Sequence, residues 1–177
     1  MPQIVVHVPM DVQVAAAGAV WGVVGRSASL DLSNAGCGAW VAGDTRGRLR
    51  IRQAGSGAMR AGAAGAAEVS VAGSGDVAVG QVSGPVSVVD VGSGGVDLAG
   101  VNGPFSVRIA GAGQVRAASG RVSLMQAAIA GSGGVILNGV AARLSASVMG
   151  SGDVRVARVT GTVSKAVMGS GQVRVGS

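Results

Sequence analysis

Aromatic residues are nearly missing from this 177-residue chain, which has no tyrosine, one phenylalanine and two tryptophans. That shortage argues against stacking platforms for nucleic acid bases, and it leaves little aromatic surface on which to seat a sugar ring. One cysteine, Cys37, argues against an intrachain disulfide. A single histidine, His7, stands beside it, and neither residue completes a triad or a metal set. No stretch reaches the roughly 18 uncharged apolar residues of a membrane helix. The opening Met1-Pro2-Gln3-Ile4 has neither the basic head nor the apolar segment of an export signal. The chain reads either as cytosolic or as a mature domain whose export signal and first residues have been removed.

Glycine, by contrast, is abundant at 33 residues, and it is periodic. A Gly-Ser/Ala/Cys-Gly tripeptide opens at Gly36, Gly55, Gly73, Gly92, Gly111, Gly131, Gly150 and Gly169, at intervals of 18 to 20 residues. A self-similar unit of about 20 residues marks a solenoid, whose units bury their apolar faces only against one another. Upstream of each tripeptide, apolar and polar residues alternate, as in Phe105, Val107 and Ile109 around Ser106 and Arg108. Alternation with period two is a half-buried strand. Downstream a second strand carries valine four residues after the first Gly, at Val77, Val96, Val115, Val135, Val154 and Val173. The expected corners are Gly73 and Gly75, Gly92 and Gly94, Gly111 and Gly113, Gly131 and Gly133, Gly150 and Gly152, and Gly169 and Gly171, positions where positive φ would demand glycine. A second corner follows eleven residues on, at Gly47, Gly84, Gly103 and Gly161.

Leucine-rich repeats share the period but need a leucine consensus that valine displaces here, and hexapeptide β-helices need a recurrence of six that is not seen. Gly62 and Gly65 interrupt the alanine-rich stretch 58–67, so no helix is expected. The expected fold is all-β, a right-handed parallel β-helix with about 19 residues per coil, eight coils and a degenerate ninth near Ala17-Gly18-Ala19, forming a single domain over 1–177.

The units Gly73-Ser74-Gly75-Asp76-Val77, Gly150-Ser151-Gly152-Asp153-Val154 and Gly169-Ser170-Gly171-Gln172-Val173 resemble the repeated G-S-G-D-V signature of the auto-transporter adhesin, head GIN domain family. Gly25-Arg26-Ser27-Ala28-Ser29-Leu30 and Gly36-Cys37-Gly38 extend the likeness over nearly the whole chain. The resemblance implies an extracytoplasmic β-helix of the bacterial envelope, adhesin-like, with no catalytic residues to carry over. It also implies that the chain lacks its native export signal and first strands. The signature's Asp stands only at Asp76 and Asp153 and is Gly95, Gln114, Gly134 or Gln172 elsewhere.

Candidate chemistry is sparse. Asp76 and Asp153 lie four coils apart, about 19 Å at the strand spacing, too far to share a calcium ion; they read as corner residues that bond to backbone N–H groups. A glycosidase needs two carboxylates about 5 to 9.5 Å apart, and Asp76 with Asp90 is the pair in successive coils, though on different strands. Trp21 and Trp40, one period apart, read as a stacked core in a wide N-terminal coil rather than as a sugar platform. The 14 basic residues against eight acids give a formal charge of +6. Two groups suggest an anion-binding face: Arg48, Arg50 and Arg52, which follow Arg46 in alternation, and the column Arg116, Arg155 and Arg174. The competing reading is solvated charge that keeps a valine-rich solenoid soluble.

The expectation is a non-enzymatic scaffold without cofactor or metal that binds an envelope glycan or a protein. Alternatives are an end-to-end assembling structural protein and, third, a carbohydrate-active enzyme. Ile4 to Val8 at the N-terminal edge is the expected place of weak self-association, and Lys165 in the inward column of the final coil is expected to repel a matching edge.

Overall fold

The computed structural model describes residues 10–176, so His7 and the edge at Ile4–Val8 lie outside the described residues. Nineteen strands, numbered in chain order, are described, and no helix occurs among these residues. One sheet stacks β1 (Asp11–Ala17), β3 (Ser29–Ala35), β5 (Thr45–Gly55), β7 (Ala64–Gly73), β9 (Val86–Gly92), β11 (Phe105–Gly111), β14 (Met125–Gly131), β16 (Leu144–Gly150) and β18 (Val163–Met168), each parallel to the next. The facing side stacks β2 (Gly22–Val24), β4 (Trp40–Ala42), β6 (Ala58–Ala61), β8 (Asp76–Val82), β10 (Gly95–Asn102), β12 (Gln114–Ala117) with β13 (Gly120–Val122), β15 (Gly134–Ala141), β17 (Asp153–Val159) and β19 (Gln172–Val175). The chain is a β-solenoid of about nine coils. Where β12 ends and β13 begins, Ala118 and Ser119 turn the coil into a short third side.

The inward residues form the core in register. Phe105, Met125 and Leu144 lie one above the other, as do Val96, Val115, Val135 and Val154, and all are buried. β-Branched side chains suit this pleated, half-buried setting. Equivalent residues sit about 4.8 Å apart along the axis, so one apolar column is continuous from coil to coil.

The two glycines of the corner do different jobs, and this corrects the expectation that both are required by positive φ. Positive φ falls on the first glycine, as at Gly111 with φ +132°, and not on Gly113. Gly113 is required by space: a Cβ there would collide with the Asp90 carboxylate of the preceding coil. Gly94 clears Val71, and Gly133 clears Ile109, in the same way, and a Cβ at either would also run into a backbone carbonyl of the coil below, that of Gly75 or Gly113. Each second glycine thus lets the last inward side chain of the coil below tuck beneath the corner.

The tryptophan expectation also needs correction. Trp40 does enter the column continued by Met59, Val77 and Val96, but its partner in the preceding coil is Gly22, and Trp21 is 49% exposed. The coil from Gly18 to Gly36 is 18 residues long, so a 19-residue offset lands one position out and on the other face of the strand.

The inward column that contains Asp90 is polar in its first coils. Asn34 donates to Gln53 Oε1 at 3.1 Å and to the Gly38 carbonyl at 3.1 Å, and Gln53 donates to the Gly57 carbonyl at 3.1 Å. Val71 follows, then Asp90, then Ile109. Asp90 is completely buried, neither carboxyl oxygen has a hydrogen-bond partner, and burial pushes its pKa up to about 6.

Candidate anion-binding face

The basic residues are not spread evenly. Residues 1–100 hold six arginines and seven acids, whereas residues 101–177 hold seven arginines and Lys165 against Asp153 alone. The formal charge of +6 is therefore a property of the C-terminal coils, whose lattice of strands fixes where each guanidinium starts.

In the N-terminal coils, Arg48, Arg50 and Arg52 do face outward, but the strand beside them supplies acids in register. Arg50 meets Glu68 at 2.9 Å and Asp31 at 3.9 Å, and Arg52 meets Asp31 at 3.6 Å. A guanidinium already engaged by a carboxylate has fewer free donors for a ligand. Arg48 stays apart from these pairs, at the rim of a trough of about 410 Å³ that it shares with Glu68. Arg46 falls within a register shift between Thr45 and Arg48 and so leaves the alternation.

The C-terminal column is different. Arg116 pairs in register with Ile136, Ile136 with Arg155, and Arg155 with Arg174. Arg116 and Arg155 are thus two strand spacings apart, about 10 Å. Ile136 lies between them and is half-buried. Both arginines line a shallow trough of about 180 Å³ together with Gln114, Ser132 and Asp153. Asp97 sits beside Arg116 one coil earlier. Arg174 bonds to Gln172 Oε1 at 2.8 Å, an uncharged partner that leaves its charge intact.

A second set was missed by the sequence reading. Arg121 pairs in register with Val140, and Val140 with Arg158. These residues lie beyond the Ala118–Ser119 turn, so they repeat the Arg116–Ile136–Arg155 arrangement on the adjoining side of the coil. Counted from the first corner glycine, Arg121 is at offset 10, Val140 at 9 and Arg158 at 8, because the register slips after Leu137. Alignment at a constant offset cannot bring them together. No ion pair or side-chain hydrogen bond engages the guanidinium of Arg116, Arg121, Arg155 or Arg158 among the described residues.

The remaining carboxylates are structural in placement. Asp76 Oδ1 accepts the Gly95 N–H at 3.0 Å and Asp153 Oδ1 accepts the Gln172 N–H at 3.0 Å, each from the next coil. Asp44 Oδ1 accepts from Ala63 at 2.9 Å and Asn102 Oδ1 from Arg121 at 3.2 Å in the same manner. Asp76 is exposed and Asp90 is sealed inside, so the pair weighed for glycoside hydrolysis is divided by the sheet. No group of three His, Cys, Asp or Glu residues able to hold a metal occurs among the described residues. Cys37 is exposed and free. Calcium at millimolar concentration is accordingly expected to leave the melting temperature unchanged, since a ligand that binds only the folded state must raise it. A saturable rise that disappears in Asp76→Ala or Asp153→Ala would contradict this.

No protein-family model matches the chain, and neither the curated proteins nor the solved structures give a match. No helix among the described residues is long and apolar enough to cross a membrane.

Proposed function

We propose that the chain is a non-enzymatic binding scaffold of the bacterial envelope, adhesin-like in the sense of the resembled head domains, and that it holds an acidic partner on the outer face of its C-terminal coils. One observation carries this reading: Arg116, Arg155 and Arg174 share a column whose spacing is set by backbone hydrogen bonds rather than by flexible loops. A rigid row of like charges raises the local potential and the encounter rate with polyanions. Guanidinium groups also match carboxylate, sulfate and phosphate oxygens in paired hydrogen bonds. The extracytoplasmic location belongs to the same proposal and rests on the resemblance alone.

Retention on a heparin matrix tests the reading. The parent protein is expected to bind at low salt and to elute as added salt screens the exposed charges, because the screening length falls to about 8 Å at physiological ionic strength. The triple replacement Arg116→Gln, Arg155→Gln and Arg174→Gln is expected to elute much earlier with an unchanged melting temperature. Passage of the parent through the column at low salt would leave only solvated charge.

A further inference from the structure

We propose that Arg121 and Arg158 form, with Arg116, Arg155 and Arg174, a two-rail site for a linear acidic polysaccharide lying along the solenoid axis, a refinement that rests on the anion-binding reading above. The first rail runs Arg116, Arg155, Arg174 on one side of the turn, and the second runs Arg121, Arg158 on the other. Along the chain the rails are five residues apart at Arg116 and Arg121 and three at Arg155 and Arg158, so across the turn they lie no more than roughly 10 to 18 Å apart, a gap that long arginine side chains can narrow around a single polymer strand. What lies between the rails is small or uncharged: Ala118, Ser119, Asn138, Gly139 and Ala157. Nothing there blocks a chain from lying close to the backbone; the Ser119 hydroxyl, which donates to the Ala99 carbonyl at 2.9 Å, can still accept from a sugar hydroxyl, and Asn138 offers its amide.

The repeat of the site selects the polymer. In both rails the first two arginines are separated by an apolar residue, Ile136 or Val140, so these charges lie two coils, about 10 Å, apart, and Arg174 follows Arg155 one coil on. An extended β-linked sugar advances about as far per ring as one coil of this solenoid, so a polysaccharide with one carboxylate or sulfate on alternate sugars presents its charges in step with the Arg116–Arg155 and Arg121–Arg158 pairs. A nucleic acid strand fits less well, because phosphates recur on every nucleotide and the bases need aromatic partners. The only aromatic residue in the C-terminal half, Phe105, is buried. A lipid surface would want exposed bulky apolar side chains beside the charge, and the strip between the rails has none.

Binding of a size-defined hyaluronan hexasaccharide, which carries one carboxylate on alternate sugars, measured at low salt by calorimetry on folded variants matched by thermal melting, tests the site. Arg121→Gln with Arg158→Gln, and separately Arg116→Gln with Arg155→Gln, are each expected to weaken binding about tenfold or more, the loss of two charge-assisted contacts. Arg108→Gln with Arg143→Gln removes the same charge away from the rails and is expected to change affinity less than threefold. Equal losses in all three variants would show that net charge alone binds the glycan, which overturns the rails but leaves the anion-binding reading standing. Loss only in the Arg116 and Arg155 variant would overturn the second rail. A single-stranded oligonucleotide of equal charge is expected to bind more weakly than the hexasaccharide, and equal or tighter binding would overturn the polysaccharide assignment. No heat and no retention for the parent with either polyanion would remove the anion-binding reading itself.

Discussion

Replacing Asp90 by asparagine is expected to favour the folded protein more at pH 8 than at pH 4, by a difference of about 2 to 3 kcal/mol. The argument starts from burial: Asp90 is sealed inside the coil with no partner on either oxygen, and its pKa is raised to about 6. A carboxyl group of raised pKa holds its proton in the folded state over a range where the unfolded chain has already released it. The folded state therefore binds more protons between about pH 4 and pH 6, and stability falls as pH rises through that window. Above it the full cost of a buried carboxylate is present and the curve flattens. Asparagine removes the titration, and its amide stands in the same relation to the Gly94 carbonyl as Asn34 does to Gly38, to which it donates at 3.1 Å. Denaturant unfolding of both proteins from pH 4 to pH 8 checks this. A parent whose stability does not decline across the window, or a variant that declines equally, would mean that Asp90 is solvated or paired.

The second large effect is expected at Gly111. Alanine there must adopt φ +132°, and its Cβ would run into the carbonyl oxygen of Gly92 in the coil below. Backbone strain of this kind costs about 1 to 3 kcal/mol, and the collision with an immobile carbonyl adds to it. Gly111→Ala is therefore expected to lower stability by about 3 kcal/mol or more, whereas Ser132→Ala, at an exposed corner position, stays within about 0.5 kcal/mol. Gly113→Ala is also expected to be costly, but through crowding of Asp90, so its penalty shrinks when Asp90 is shortened to alanine while that of Gly111→Ala does not. Equal melting shifts for Gly111→Ala and Ser132→Ala would refute the stacked corner.

The coil length, the two strands and the inward valine columns were legible in the sequence because each depends on local alternation repeated at a nearly constant interval. Asp90 was legible as inward, yet its meaning was not, since only the stacked coils show that Val71 and Ile109 seal it and that Gly113 makes room for it. The division of labour between the two corner glycines was hidden for a related reason: φ and close approach both select glycine, and the residue name does not distinguish them. Of the candidate face, the column Arg116, Arg155, Arg174 could be found by counting. Arg121 and Arg158 could not, because a turn and a register slip intervene. Nor does outward alternation reveal that Asp31 and Glu68 will engage Arg50, which requires knowing which coil lies on which.

The amide pair near the start of the solenoid bears on how such a chain avoids assembling wrongly. Coils built from the same valines and glycines are nearly interchangeable, so a folding chain can stack a coil on the wrong neighbour and loop one out at little loss of apolar contact. Asn34 and Gln53 break that degeneracy, because one amide hydrogen of Asn34 goes to the Gly38 carbonyl of its own coil and the other meets an acceptor only when Gln53 is directly above it. Skipping one coil would set Asn34 against Val71 and leave one buried amide hydrogen without an acceptor, a cost of about 1 to 3 kcal/mol for an unsatisfied group. The pair works as an index mark, fixing which coil is counted first before the interchangeable valine coils are laid down.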